Sequence, residues 1–113
     1  MTKKVKLNFV PDKPTVNGMI YPKEILIKAI EEKLQNNLFV VEEYSNPIDI
    51  SKIIGVCKGY EINQDGEIIF DVKPFKDFDL DKIKVTTSGV ATVNGKQVND
   101  DYKLIGLFIV KDD

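Results

Sequence analysis

The sequence predicts an α+β fold: a mainly antiparallel, curled or barrel-like sheet of about six strands with one amphipathic helix. Three observations predict it. Only one stretch has helical spacing, with Leu26, Ala29, Ile30, Lys33 and Leu34 recurring at i, i+3, i+4, i+7 and i+8. The rest of the chain is short apolar or alternating runs. Those runs are separated by turn dipeptides such as Asp65-Gly66 and Asn94-Gly95. A single helix in a β-rich chain has only the sheet on which to bury its stripe. The 113 residues make one domain, 1–113.

Taken in order, Val5, Leu7 and Phe9 alternate with polar residues and read as a half-buried opening strand. Pro11 and Pro14 end it and lead to a turn at Asn17-Gly18. Pro22 suits the first helical position, Glu24 complements the helix dipole, and Asn36-Asn37 closes the helix. Residues 38–41 form a short buried strand, and 42–47 a polar loop after which Ile48 and Ile50 dip back to the core. Residues 53–62 form the next strand, with Ile54, Val56, Tyr60 and Ile62 on one face. Gly55, Cys57 and Gly59 leave the other face small enough for another backbone to approach. After the 63–66 turn, 67–73 returns with Ile68, Phe70 and Val72 on one face, until Pro74. Residues 75–81 alternate aromatic and acidic. Residues 83–93 form a Val- and Thr-rich strand broken at Gly89, and Asn94-Gly95 turns it. The nearly continuous apolar run 104–110 belongs in the middle of the sheet, covered on both faces.

Composition narrows function. Charge is mixed with a net of −2, and there is no Arg, which argues against a nucleic-acid partner. No apolar run approaches the ~18–20 residues of a membrane span, and the start has no signal-peptide pattern. One cysteine excludes an internal disulfide and fits a reducing compartment. The chain contains no histidine, the commonest general base near neutral pH and the commonest metal ligand. No cofactor or metal is expected.

Several residues are candidates for chemistry. Thr86, Thr87 and Ser88 stand beside Gly89, as a nucleophile on a strand could. The plainer reading is a Thr-rich strand with a bulge at Gly89. The only base candidates are carboxylates and lysines such as Lys58 or Lys84. Asp77, Asp79 and Asp81 alternate as calcium ligands do, but the glycine and glutamate of the EF-hand loop are missing, leaving a solvated acidic loop. Cys57 reads as a small buried residue. Phe75 and Phe78 could be offered to a partner or pack beneath their loop. The segment 37–47, with Leu38 and Tyr44, is a second contact candidate.

The segment Asn17-Gly18-Met19-Ile20-Tyr21-Pro22-Lys23-Glu24-Ile25-Leu26-Ile27-Lys28-Ala29 resembles the early motif of the prohead (head maturation) proteases of tailed bacteriophages, whose fold is shared with the herpesvirus assemblin protease. Asn46-Pro47 followed by Ile48-Asp49-Ile50-Ser51 is similar to that family's His-Pro loop and Ile-Asp-Leu-Ser segment. Val85-Thr86-Thr87-Ser88-Gly89 resembles its nucleophile strand, and Val98-Asn99-Asp100-Asp101-Tyr102 the segment after it. The resemblance runs from about Phe9 to Val110. It implies that Asn46 stands at the histidine position and Thr86, or Ser88 with a slipped register, at the nucleophile. The Arg that follows the nucleophile in the family is absent, and the chain is short for the family, whose added helices help form the protease's dimer and substrate groove. An asparagine cannot take a proton from a hydroxyl. The implied role is therefore a phage virion structural protein without catalysis, a capsid auxiliary or decoration protein. Its partners would be the major capsid protein and other virion proteins. It would be assembled in the host cytoplasm and present in multiple copies on the shell, with no nucleic acid or membrane involved. The alternatives are a divergent maturation protease using Thr86 or Ser88, and an internal scaffold or core protein of the prohead.

Overall fold

The computed structural model describes residues 2–15, 17–43, 48–75 and 83–111. The strands are β1 (Lys3–Leu7), β2 (Leu38–Val41), β3 (Ile53–Ile62), β4 (Ile68–Pro74), β5 (Ile83–Val90), β6 (Val93–Asn94), β7 (Gln97–Val98) and β8 (Lys103–Lys111). One α-helix, α1 (Lys23–Leu34), lies between β1 and β2. Six strands close a barrel in the order β1-β4-β3-β2-β8-β5, and β6 and β7 make a separate two-stranded arm. The α+β class, one α-helix among the described residues and the closed sheet are as the sequence predicts.

The sheet is mainly antiparallel, as predicted, but it is mixed rather than wholly so. Four seams are antiparallel, but β1 meets β5 and β2 meets β8 in parallel. Hairpin turns make antiparallel pairs only. The two parallel seams join strands distant in the chain, and closure of the barrel brings them together.

Helix α1 forms where its spacing places it, and it buries Leu26, Ala29 and Ile30. Pro22 sits one position earlier than expected, as the N-cap, and has no side chain that can bond the helix end. Asp12 caps the end from outside the helix, its carboxylate accepting the Lys23 N–H at 2.9 Å. Asn37, at φ 70, adopts the left-handed conformation after the helix, and the Asn36 side chain donates to the Glu32 carbonyl.

The core inside the barrel is built from Val5 and Leu7, Leu38 and Val40, Ile68, Phe70 and Val72, Val85 and Leu107, with the helix stripe against them. β2 and β3 occupy the predicted spans. In β3 a bulge at Lys58 shifts the register between Cys57 and Gly59. The single alternating face expected there is thereby broken, and Cys57 joins the core. The close approach expected at Gly55 is present: a Cβ there would stand 2.8 Å from the Lys73 carbonyl oxygen. β8 lies between β2 and β5 and is covered on both faces, Leu107 inside and Phe108 outside. Ile48 is half-buried and packs over Gly106, but Ile50 is 82% exposed, contrary to expectation. It belongs to a 3-10 turn, Ile50–Lys52, started by Asp49, whose carboxylate accepts from the Ser51 N–H and hydroxyl. That turn directs Ile50 outward.

Candidate functional site

β1 accompanies β5 only as far as Lys6↔Lys84 and Leu7↔Val85, after which the Asn8 N–H donates to the Val85 carbonyl at 2.8 Å. Beyond that point β1 turns away, and β5 continues with β8 alone beside it. A cavity of about 260 Å³ opens along the freed side of β5. Asn8 and Phe9 line it from the end of β1, Thr15, Met19 and Tyr21 from the loop entering α1, and Thr86 and Thr87 from β5.

That loop is tied down by its own backbone. Thr15 and Met19 are paired, with the Thr15 N–H donating to the Met19 carbonyl at 2.8 Å. The Thr15 hydroxyl accepts the Met19 N–H at 3.2 Å. Ile20 lies against β7: its N–H donates to the Lys96 carbonyl, and its own carbonyl accepts the Val98 N–H. Aromatic rings then connect the loop to the barrel. Phe9 and Tyr21 are 4.8 Å apart by ring centroid, and Tyr21 meets Tyr102 edge-on at 5.7 Å. Tyr102 lies directly over Gly89. A Cβ there would be 2.6 Å from the Tyr102 ring and 2.5 Å from the Lys103 carbonyl oxygen, so only glycine leaves room. The bulge expected at Gly89 is present as a register slip between Ser88 and Gly89.

The cavity wall is polar without being charged. None of the residues lining it is Asp, Glu, Lys or Arg. Burial raises the Tyr21 phenol above its ordinary value. Burial likewise pushes the Tyr102 phenol up to about 12, although the neighbouring Thr87 hydroxyl acts in the other direction. The Tyr102 and Thr87 oxygens are both buried, and neither completes a well-formed hydrogen bond. Such a pair is a cost within the wall.

Thr86, the residue that the resemblance puts at the nucleophile, does open onto this cavity. Ser88 lies on the same alternate face of β5, half-buried and outside the cavity lining. Lys84 precedes Thr86 on that face and lends positive charge to Glu67, whose carboxyl is held low by Asn63 and then Lys6. Lys58 is on β3, separated from β5 by β2 and β8. Asn46, Tyr44, Phe78 and the acidic residues Asp77, Asp79 and Asp81 lie outside the described residues. Leu38, a contact candidate, is fully buried in the core and presents no surface, because its strand position faces inward opposite Cys57. Phe75 is 54% exposed. Burial pushes the Cys57 thiol up to about 11, which keeps it protonated and unreactive. Among the described residues, no three His, Cys, Asp or Glu side chains gather as metal ligands do.

Sequence reasoning did not bring Tyr21, Thr15 and Tyr102 to β5. One signal was present. Residues 85–95 and 14–22 are the two longest stretches without a charged residue, and the fold sets them side by side. Comparisons of this chain with protein-family models, with curated proteins and with solved structures find no match.

Proposed function

We propose that this chain is a virion structural protein of a tailed bacteriophage: a catalytically inactive, prohead-protease-like capsid auxiliary or decoration protein that binds and stabilises the major capsid shell. The reading starts from the sequence resemblance. The observation that carries it further is the wall around Thr86. A threonine hydroxyl needs a proton acceptor within hydrogen-bond reach to become a nucleophile. The cavity that Thr86 faces is lined by neutral side chains, in a chain without histidine.

The contact surface belongs at the end of the barrel where β3 begins and β4 ends. Ile50 and Phe75 both stand there, 82% and 54% exposed, and the Phe75 N–H donates to the Ile54 carbonyl. Exposed apolar side chains gathered at one end of a fold mark a contact surface. Repetition over many equivalent shell positions would offset a small individual interface. Shells assembled from the major capsid protein should co-sediment with the purified chain, and Ile50→Asp with Phe75→Asp should weaken that binding at least roughly tenfold. No co-sedimentation, together with no density for the chain on purified virions, would overturn the reading.

The alternative, a divergent maturation protease, is favoured by one feature, the opening of Thr86 onto a cavity. Cleavage of a capsid precursor by the chain, abolished in Thr86→Ala, would put it in first place.

A further inference from the structure

The chain has two Asn-Gly dipeptides, Asn17-Gly18 and Asn94-Gly95. They are distant in sequence and adjacent in the fold: Ile20 bridges to Gln97, and the Lys96 side chain lies 3.9 Å from where a Cβ on Gly18 would stand. Their backbones are held differently. The Gly18 N–H donates to the Thr15 carbonyl at 2.8 Å. Gly95 is the first of two residues linking β6 to β7, at φ +65, and has no atom within 4 Å of its Cβ direction. Asn94 pairs with Gln97 through its backbone, and its side chain is exposed. Among the described residues no hydrogen bond holds the Gly95 N–H or the Asn94 carboxamide.

We propose that Asn94 is a self-modification site, converted to aspartate and isoaspartate through a cyclic imide. The Gly95 backbone nitrogen attacks the Asn94 side-chain carbonyl carbon. The new C–N bond closes the ring, and the carboxamide nitrogen leaves as ammonia with the proton from the attacking N–H. Water then adds to either imide carbonyl and opens the ring. Attack through the side-chain carbonyl leaves aspartate. Attack through the main-chain carbonyl leaves isoaspartate, with the backbone routed through the former side chain. Glycine makes the step feasible because no Cβ shields its nitrogen, and the open turn lets the carboxamide reach it. Asn17 has the same dipeptide, but its glycine nitrogen would first have to release the Thr15 carbonyl. The product places a carboxylate on the 85–95 stretch, which otherwise carries no charge. The isoaspartate form also lengthens the turn that keeps Gln97 on Ile20.

The test is to hold the folded chain at mildly alkaline pH, digest it, and quantify the acid forms of the two peptides by mass spectrometry. Asn94 should react ahead of Asn17 by at least roughly 2- to 12-fold, the factor corresponding to the hydrogen bond that Gly18 must give up. In denaturing urea the two rates should converge, because the dipeptides are the same. Equal rates in the folded chain, Asn17 leading, or an Asn94 that stays intact when folded while the urea-unfolded chain reacts, would each overturn the proposal.

Discussion

The wall made by β1, β4 and β3 and the wall made by β5 with the loop entering α1 are held by opposite chemistry. On the first, Lys4 pairs with Asp71 at 2.6 Å and with Glu61 at 3.1 Å, and Lys6 with Glu67 at 3.2 Å, all on the solvent side. On the second no charge is present from 85 to 95 or from 14 to 22, and the tie is a run of rings from Phe9 through Tyr21 to Tyr102 seated on Gly89. The difference follows from the backbone. β4 has a strand hydrogen-bonded on each side, so its wall stands on the ladder and its exposed ion pairs add little. β5 loses β1 after Val85, so packing has to do there what hydrogen bonds do elsewhere.

If that contrast is right, the largest loss comes from Gly89→Ala. The added methyl meets the Tyr102 ring and the Lys103 carbonyl, and overpacking of this kind costs about 1–3 kcal/mol. Denaturant unfolding measures it, and an unchanged midpoint would mean that the aromatic wall yields freely. The next effect is a pH dependence. The folded Tyr102 phenol, at about 12, lies above its unfolded value near 10. Between these values the unfolded chain has lost the proton and the folded one keeps it, so stability falls as pH rises through that window. The loss is roughly 3 kcal/mol when complete. Tyr60 shares the direction, because its phenol donates to Glu31 and is also pushed up to about 12, but that hydrogen bond lies in solvent and contributes less. Tyr102→Phe should therefore be close to neutral at pH 7, since the hydroxyl lacks a good partner, and should flatten most of the alkaline decline. The smallest effect belongs to Lys4→Ala on the charged wall, a change in unfolding midpoint that high salt erases.

What could be read from the sequence follows the same division. β2, β3 and α1 emerge at nearly their predicted bounds, α1 because its stripe repeats at helical spacing and β2 and β3 because their apolar runs stop at polar or turn residues. Ile68, Phe70 and Val72 face the core as their alternation requires. The parallel seams could not be read, because no local pattern in Lys6 or Val40 says that Lys84 or Leu107 is its neighbour. Ile50 misled because an isolated apolar residue has no period to reveal its direction, and a short capped turn decided it. Leu38 misled by the reverse error, since its place beside a polar loop says nothing about the barrel interior it enters. At the site, the threonines of β5 were legible as candidates. Tyr102 was not, because its position over Gly89 depends on the return of β8 beside β5.

The two parallel seams also set the order of events during synthesis. β1 leaves the ribosome long before β5, and β2 long before β8, so each waits with one edge unsatisfied. Contacts of such long range make folding slow. β1 waits behind Lys3, Lys4 and Lys6, the kind of charge that discourages a strange strand from adding to an open edge. β2, Leu-Phe-Val-Val, has no such guard. Its hairpin with β3 covers one edge early. Until β8 arrives, the other edge is where nascent copies of this protein would first stick to one another.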